Sequence, residues 1–365
     1  NLDLVVAIVR ALGMDEPVVE QWRAACMAVH AEAKSNGPAG VFRQLPAETA
    51  VFTGRERELQ TVLKPAMMRN DPRAASVVAI SAIDGMAGVG KTQLALHAAH
   101  KLVRSGRFTD TQLYVDLRGF DPGRPAADPA AVLDAFLRQL GVPAQRIPET
   151  LAERAAMFRD RMHDKDALVL LDNAAGEDQI RDLIPASPSC LVLVTSRRSL
   201  AGLDGAFLYT LDVFSPAESV SLLARIAGAD RVEAEPDAAA AIVEACGFLP
   251  LAVALAASRL RARPAWTLAE LAHRLRTSGL DAFNAGSRAL RPVLDLSYNG
   301  LPASARFLFC VLGLHPGDDF STAAAAAAGG ISHAEADGIL ELLLDEHLLQ
   351  GTESGRYRFH DLIRG

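Results

Sequence analysis

The sequence contains few of the residues that mark secreted, disulfide-bonded or zinc-binding proteins. Only four of its 365 residues are cysteines, and no two of them form a CxxC pair: Cys26, Cys190, Cys246 and Cys310. The histidines are not clustered beside them. Widely spaced cysteines are typical of reduced, buried thiols in a cytosolic protein, so we expect neither disulfide bonds nor a structural zinc site.

The sequence also lacks an excess of positive charge and a long apolar run. Lys and Arg number 37 against 44 Asp and Glu, a net charge of −7, which gives no reason to expect general binding to nucleic acid or to membranes. The longest uncharged apolar stretch, 245–257, is too short to cross a bilayer and contains Pro250. The amino end has no basic region or cleavage site of a signal peptide. We therefore expect a soluble, cytoplasmic protein with no membrane partner.

Patterns of buried strands alternate with helical patterns between residues 76 and 196. Continuous apolar runs, which a parallel strand covered on both faces requires, lie at 76–83, 113–117, 167–172 and 190–196. Apolar residues at helical spacing occur between them, for example over 129–140 and Leu151–Met162. This alternation predicts an α/β fold, a parallel sheet with helices on both faces.

The predicted strands end near residue 212, and helical patterns follow. Ser215 is a candidate N-cap because Pro216 follows it directly and Glu218 stands three positions on, the pattern of a capping box. After a run of further helices, the last segment combines short helices with a hairpin around a Thr-Glu-Ser-Gly turn. At the amino end, helical spacing predicts two short helices before a linker that contains Gly and Pro.

Four segments are therefore predicted. Their boundaries are 1–45 for the helical remnant and linker, 46–211 for the α/β domain, 212–288 for a helical domain, and 289–365 for the carboxyl-terminal domain. Because the chain starts without Met and ends abruptly, we expect it to be a fragment of a longer chain.

A phosphate-binding loop is the most specific motif. The stretch 85–92, GMAGVGKT, satisfies GxxxxGK[ST] between a predicted strand and a predicted helix. Glycines allow backbone N–H groups to wrap a phosphate, and the helix that begins near Gly90 presents its positive end to the anion. Lys91 would reach the β- and γ-phosphates, and the Thr92 hydroxyl can ligate Mg²⁺. The context on both sides predicts a nucleotide site rather than a plain glycine-rich turn.

Two strand ends carry candidate catalytic residues. Asp172 ends the run 167–172, where the carboxylate of a P-loop magnesium site belongs, but the next residue, Asn173, cannot accept a proton from water. Glu177 or Asp178, one turn further on, could act as the base instead.

The strand 190–196 ends in polar and basic residues. It can present Thr195 or Ser196 and Arg197 toward a γ-phosphate, because a cation there stabilises the charge of the third phosphate. Arg198 is the more probable of the two arginines to be simply solvated.

Six stretches follow one another in an order that resembles a known family. They are VFTGRERELQ, GMAGVGKT, LVLLDNA, VLVTSRR, GFLPLAVAL and RFHDL. Over residues 46–365 the chain is similar to the NB-ARC ATPases of the STAND class, which include apoptotic adaptors, plant disease-resistance proteins and actinobacterial transcriptional regulators. The resemblance implies a P-loop domain followed by a helical domain and a winged-helix domain. The first 26 residues resemble the end of a helix-turn-helix domain.

The resemblance also implies which residues bind the nucleotide. Thr53 and Arg55 would contact the adenine, and Pro250 would pack against it from the helical domain. The phosphates and the metal would be held by Gly88, Val89, Gly90, Lys91, Thr92 and Gln93.

Further roles concern catalysis and sensing. Lys91, Asp172 and Arg197 would serve hydrolysis, and Thr92 with Asp172 would hold Mg²⁺. His360 stands in RFHD, where the family has MHD, and would reach the β-phosphate of ADP from the last domain.

A nucleotide contacted through Lys91, Pro250 and His360 would tie three domains together. The resemblance therefore implies a switch with a closed ADP state and an open ATP state, reset by slow hydrolysis. It further implies self-association of the ATP form, DNA contact only through an amino-terminal domain mostly absent from this chain, and no sensor repeats within it.

Two other functions remain open from the sequence. A DNA-associated ATPase of the AAA+ type is possible because GRERELQ before a P-loop also occurs there, although GFLPLA and RFHD argue against it. A scaffold that binds nucleotide without hydrolysing it is the second. An ABC-type transporter subunit is disfavoured because no LSGGQ-like signature is present.

Overall fold

The computed structural model describes residues 42–68, 78–121, 123–278, 284–285, 288–352 and 354–364, together with Val19. The two helices predicted at the amino end, most of the predicted linker and Cys26 lie outside the described residues.

Six parallel strands form the central sheet. Their bounds are β1 Phe42–Arg43, β2 Ala79–Asp84, β3 Thr111–Asp116, β4 Ala167–Ala174, β5 Cys190–Ser196 and β6 Ala206–Thr210. The order across the sheet is β1-β3-β4-β5-β2-β6, and every neighbouring pair is parallel. All four predicted strands are present, so the parallel α/β sheet is confirmed.

The two edge strands of the sheet were not predicted. Phe42–Arg43 lies in the segment predicted as a linker, yet its backbone pairs with Thr111 and Gln112 of β3. Ala206–Thr210 pairs with β2, and most of its side chains are at least partly exposed. Phe42–Arg43 is only two residues long, too short to give a pattern. Ala206–Thr210 has the mostly apolar sequence AFLYT, but it is not covered on both faces, because all five of its side chains are partly or fully exposed.

Helices cover both faces of the sheet. Their bounds are α1 Glu56–Met68, α2 Lys91–Arg104, α3 Pro129–Gln139, α4 Leu151–Met162 and the single turn α5 Glu177–Ile180. Alternate residues of β4 point to opposite faces, as strand geometry requires. Leu168 packs in the core under α1 and α2, whereas Val169 packs with Phe136 and Phe158 of α3 and α4.

In the described part of the chain, five helices follow the sheet. They are α6 Pro216–Ala227, α7 Ala229–Ala234, α8 Pro236–Ala245, α9 Pro250–Ala262 and α10 Leu268–Ser278. The predicted capping box is confirmed: the Ser215 side chain accepts from Glu218 N–H, and the Glu218 carboxylate accepts from Ser215 N–H. The helices share one hydrophobic core with the α1 and α2 face of the sheet, so a cleft between them and the sheet is bounded by well-packed walls.

The last segment has its own core. Its elements are β7 Asn284–Ala285, β8 Arg288–Ala289, α11 Arg291–Asn299, α12 Ala303–Gly313, α13 Thr322–Gly329, α14 His333–Asp345, β9 Leu349–Gly351, β10 Tyr357–Phe359 and α15 Asp361–Arg364. The predicted hairpin is the antiparallel pair β9–β10. Leu308, Leu312, Phe320, Leu340 and Phe359 pack together in this core.

One prediction about the cysteines is wrong. Cys190 and Cys246 are buried, but Cys310 is exposed and lies 3.3 Å from the Tyr298 hydroxyl. The helical period explains the difference, because Leu308 and Leu312 point into the core and Cys310 between them points away.

Within the described ranges, no helix is long and apolar enough to cross a membrane. The same part of the chain holds no cluster of three or more His, Cys, Asp or Glu side chains with the arrangement of a metal site.

Glu218 connects the start of α6 to the backbone of Arg55, just before α1, so its substitution tests this contact. Its Oε1 accepts the Arg55 backbone N–H at 2.8 Å, and its Oε2 completes the capping box. Losing the cap and leaving a backbone donor unpaired should lower the free energy of unfolding by about 2 kcal/mol.

We therefore expect Glu218→Ala to unfold at lower urea concentration. The matched control is Glu233→Ala, since Glu233 is exposed on α7. Equal midpoints for the two variants would contradict the assigned role of Glu218.

Candidate functional site

The phosphate-loop motif forms the turn between β2 and α2. Three of its glycines have positive φ: Gly85 at 136°, Gly88 at 84° and Gly90 at 102°. A Cβ on Gly85 would lie 2.5 Å from the carbonyl oxygen of Leu211, so no other residue fits there without movement. Gly90 directly precedes the first residue of α2, so the free N–H groups of that helix face the loop.

Lys91 is a buried cation folded onto its own loop. Its Nζ donates to the carbonyl oxygens of Gly85 at 2.6 Å and of Met86 at 2.9 Å, and the residue is only 9% exposed. Burial, and after it the positive charge of Arg197, lowers the pKa of Lys91 to about 7. Because carbonyls only partly compensate a buried ammonium, this site favours an anionic ligand.

Asp172 lies at the carboxyl end of β4, beside the start of α2. Its Oδ1 accepts hydrogen bonds from the Thr92 hydroxyl at 2.8 Å and from the Thr195 hydroxyl at 2.5 Å. Asp172 is 6% exposed, and burial raises the pKa of its carboxyl. A carboxylate and a hydroxyl placed together are the hard oxygen donors that Mg²⁺ prefers, so Thr92 and Asp172 fit that ion.

Asn173 interrupts the regular pairing of β4. It has a φ of 57°, and the register with β5 shifts between Leu171 and Ala174. Its backbone N–H donates to the Thr195 hydroxyl at 2.9 Å, and its Nδ2 donates to Asp116 Oδ1 at 3.4 Å. A bulge of this kind re-aims a side chain, here toward the end of β3.

Asp116 is a site residue that the sequence analysis missed. It ends β3, is the register partner of Asp172 on the neighbouring strand, and lines the same cavity. Burial, and after it the negative charges of Asp172 and Asp116, raises the pKa of Tyr114 to about 12. The sequence offered one signal for Asp116: it is a polar residue near the end of a predicted strand, Asp172 ends another, and the carboxyl ends of parallel strands meet at one edge of the sheet.

Arg197 follows β5 and faces two parts of the molecule. It lines the cavity, while its guanidinium donates to the Val293 carbonyl oxygen at 3.0 Å and lies 5.1 Å from the Phe120 ring centroid. Burial lowers the pKa of Arg197. Arg198 points elsewhere, because its Nε donates to the buried Glu346 carboxylate at 2.5 Å.

The segment before α1 forms another wall. Thr53 is buried, and its hydroxyl donates to the Val51 carbonyl oxygen at 2.9 Å. Arg55 also reaches the cavity, but its guanidinium is committed to the carbonyl oxygen of Asp212 at 2.5 Å and to Glu58 at 2.8 Å. Its structural task is therefore to fix this wall against the end of the sheet.

Pro250 begins α9 on the opposite wall. The next residue, Leu251, donates its backbone N–H to the Gly88 carbonyl oxygen at 3.2 Å, so the helix end touches the phosphate loop directly. Proline suits the first position of a helix because its missing N–H has no partner there.

One cavity of about 610 Å³ collects nearly all of the predicted site residues. Its lining includes Thr53, Arg55, Gly88, Val89, Gly90, Lys91, Thr92, Gln93, Asp172, Thr195, Ser196, Arg197 and Pro250. That volume is within the range of small-molecule sites. Glu177 and Asp178 do not line it: Glu177 accepts the Gly202 N–H at 3.0 Å, and the Asp178 side chain is fully exposed.

His360 also lies outside this cavity. It lines a second one, of about 460 Å³, together with Met86, Val89, His347 and Arg358. His347, which sequence reasoning missed as well, places its Nε2 3.5 Å from Asp84 Oδ1, directly before the phosphate loop. The last segment therefore lies beside the phosphate loop at a second cavity.

Comparisons with known proteins agree with this geometry. The NB-ARC domain description matches residues 55–233. The regulatory protein AfsR of Streptomyces griseus is 46% identical over 326 residues, 88% of this chain and 32% of that protein. AfsR of Streptomyces coelicolor is likewise 46% identical, over 327 residues, 88% of this chain and 32% of its own length. The chain thus spans about a third of the length of these relatives.

A solved structure shows a similar fold. The Aeropyrum pernix ORC2 protein, in its ADPNP–ADP complexes, has a TM-score of 0.51 and 15% identity, covering 87% of this chain and 92% of that chain. At this identity the likeness concerns the fold alone.

The contact between Gly247 and His360 can be tested by a glycine substitution. Gly247 has a φ of 52°, and a Cβ there would lie 2.8 Å from His360 Cε1. Gly141 is a matched control, because it also follows a helix with positive φ, 81°, and has no atom within 4 Å of its virtual Cβ. Both alanines carry the cost of a left-handed residue, about 1–2 kcal/mol.

Only Gly247→Ala should also overpack its surroundings, which should lower the free energy of unfolding in urea by a further amount of about 1–3 kcal/mol. Adding His360→Ala should recover part of that excess. Equal destabilisation by Gly247→Ala and Gly141→Ala would mean that His360 does not pack against this turn in solution.

Proposed function

Residues 55–233 of this chain belong to the NB-ARC family, and from that premise we propose that the chain is the core of a signal-transduction ATPase that switches between an ADP-bound and an ATP-bound form. The NB-ARC match and the AfsR relatives support a nucleotide-binding regulatory ATPase domain. The two states, the slow hydrolysis and a role in transcription or signalling are our proposal for this chain.

The observation that carries the proposal is the cavity between the sheet and the helices. Lys91 supplies a buried cation at its phosphate end, and Pro250 forms part of its far wall. A ligand that fills this cavity touches both the sheet and α9, and Leu251 already bonds to the Gly88 carbonyl across the join. Its identity can then bias how the two parts pack, because a ligand shifts an equilibrium by its differential affinity for two states.

We assign the nucleotide-binding roles as follows. Thr53 and Pro250 face the adenine, while Arg55 holds the wall behind it. Phosphate binding falls to the loop amides with Lys91 and Thr92. Mg²⁺, held by Thr92 and Asp172, supplies charge neutralisation of the phosphates when it is bound.

Arg197 is proposed to distinguish ATP from ADP. Its guanidinium is bonded to the Val293 carbonyl of α11 while it also lines the cavity. A γ-phosphate in the cavity offers a charged acceptor, which binds a guanidinium more strongly than a neutral carbonyl does. Arrival of the third phosphate would therefore draw Arg197 away from Val293 and loosen the last segment.

The last segment, 289–365, is proposed to be the winged-helix lid of this switch. His360 and His347 line a cavity together with Met86 and Val89 of the phosphate loop, and Ser199 N–H donates to the Asp345 carbonyl oxygen at 3.1 Å. In an ADP-bound form, a modest rearrangement would bring His360 to the β-phosphate. We further propose the domain boundaries 46–211 and 212–288, a cytoplasmic location, and self-association of the ATP form.

Loss of the buried cation should abolish nucleotide retention. Lys91→Ala removes the charge that faces the phosphates, whereas Lys101→Ala removes an exposed charge from the same helix. A nucleotide present at a hundredfold over its dissociation constant stabilises the folded state by about 2.7 kcal/mol.

Nucleotide extracted from each purified protein and measured by chromatography should be near zero for Lys91→Ala and unchanged for Lys101→Ala. The thermal stabilisation by added ADP should also vanish in Lys91→Ala alone. Wild-type occupancy in Lys91→Ala would contradict the assignment of this cavity.

Arg197 should control the preference between the two nucleotides. In Arg197→Ala, the affinity for a non-hydrolysable ATP analogue should fall about 10- to 100-fold relative to ADP, the range of a hydrogen bond to a charged group. Arg198→Ala is the control, because it removes the same charge one position away. It should lower stability by leaving Glu346 unpaired, but it should keep the preference between the two nucleotides. An unchanged preference in Arg197→Ala would show that this residue does not sense the third phosphate.

A further inference from the structure

The cavity contains one carboxylate that the proposed nucleotide contacts do not use. Asp116 and Asp172 are the two acidic residues among the residues that line it. Asp172 is engaged by the hydroxyls of Thr92 and Thr195 and is buried. Asp116 is more exposed than Asp172 and stands at the neighbouring strand end.

We propose that Asp116 is the general base of ATP hydrolysis in this chain. The proposal rests on the proposed function, since it names the residue that activates water at the same site. It also accounts for the carboxamide of Asn173, which cannot accept a proton at the position directly after Asp172.

Asp116 has an oxygen available for water. Its Oδ1 accepts hydrogen bonds from Arg118 N–H at 2.9 Å and from Asn173 Nδ2 at 3.4 Å. No described residue donates to its Oδ2. These contacts fix the orientation of the carboxylate, and a water molecule can donate to the second oxygen.

Asn173 is then a positioning residue rather than a failed base. Its φ of 57° and the bulge at this point turn its side chain toward Asp116, while its N–H is held by the Thr195 hydroxyl. An amide donor stabilises the carboxylate of Asp116. A carboxylate at position 173 would instead repel it.

The other acids considered from the sequence are poorly placed for this role. Glu177 accepts a hydrogen bond from the Gly202 N–H and lines a different surface pocket. The Asp178 side chain is fully exposed, 3.8 Å from Arg181. Neither lines the cavity where the phosphates would lie.

The chemical step is a displacement at the γ-phosphorus. A bond forms between the water oxygen and the phosphorus, while the bond from the phosphorus to the oxygen bridging the β- and γ-phosphates breaks, and its electron pair stays with ADP. The water proton passes to Asp116 and then to bulk solvent, which reaches this exposed residue. Inorganic phosphate and ADP leave, so atoms and charge balance.

Asp116→Asn tests the proposal, because the carboxamide keeps the shape and still accepts the Arg118 N–H but cannot take a proton. With saturating ATP and Mg²⁺, kcat should fall about 10²- to 10⁴-fold, the usual contribution of a general base. The dissociation constant of a fluorescent ADP derivative should stay within threefold of the wild-type value. The melting temperature should equal that of the wild type within experimental error. Glu177→Gln is the matched control and should keep wild-type kcat.

The outcomes separate the two proposals. Wild-type turnover in Asp116→Asn with normal ADP binding would overturn the role of Asp116 and leave the nucleotide switch intact. Wild-type protein that fails to bind ADP would overturn the proposed function itself, and protein that binds without hydrolysing ATP would overturn hydrolysis together with its base. If Asp116→Asn binds ADP weakly, Asp116→Ala is measured in the same assays. Weak ADP binding by Asp116→Ala as well would make Asp116 a binding residue and overturn the proposal. Normal ADP binding with lost turnover in Asp116→Ala would support it.

Discussion

A buried ammonium that bonds to no carboxylate among the described residues is the constraint on which the rest of the structure depends. Lys91 folds onto the carbonyls of Gly85 and Met86, and its pKa falls to about 7 because burial disfavours the charge. Such a group gains most when an anion enters beside it. The glycines of the loop, the start of α2 and the paired Thr92 and Asp172 are all arranged around that entry point.

The same loop connects the segments that a switch must move. Leu251 bonds to Gly88 from the helical side, and His347 approaches Asp84 from the last segment. Arg197 adds a third connection, from the end of β5 to Val293. Because each contact lies within a few residues of the cavity, the proposed switch would act on all three contacts locally, without any long-range pathway. The proposed switch needs only these local contacts.

The sequence predicts the sheet and the phosphate loop because both depend on local patterns. A strand covered on both faces must be apolar throughout, and a phosphate loop needs glycine at positions of positive φ. The edge strand Phe42–Arg43 is too short to give such a pattern, and Ala206–Thr210 lies partly exposed at the edge of the sheet despite its mostly apolar sequence. Asp116 joins the site only through the strand order, which places it beside Asp172. The position of His360 against Gly247 depends on how distant segments pack, which no local spacing encodes.

The most direct test of the switch is amide hydrogen exchange with ADP and with a non-hydrolysable ATP analogue. The account predicts that amides of Leu349–Gly351 and Tyr357–Phe359, in the segment that touches the phosphate loop, exchange faster with the ATP analogue than with ADP. Amides of Ala167–Ala174 at the sheet centre should be equally protected in both. Equal protection of the last segment in the two nucleotide states would contradict the claim that this cavity controls its packing.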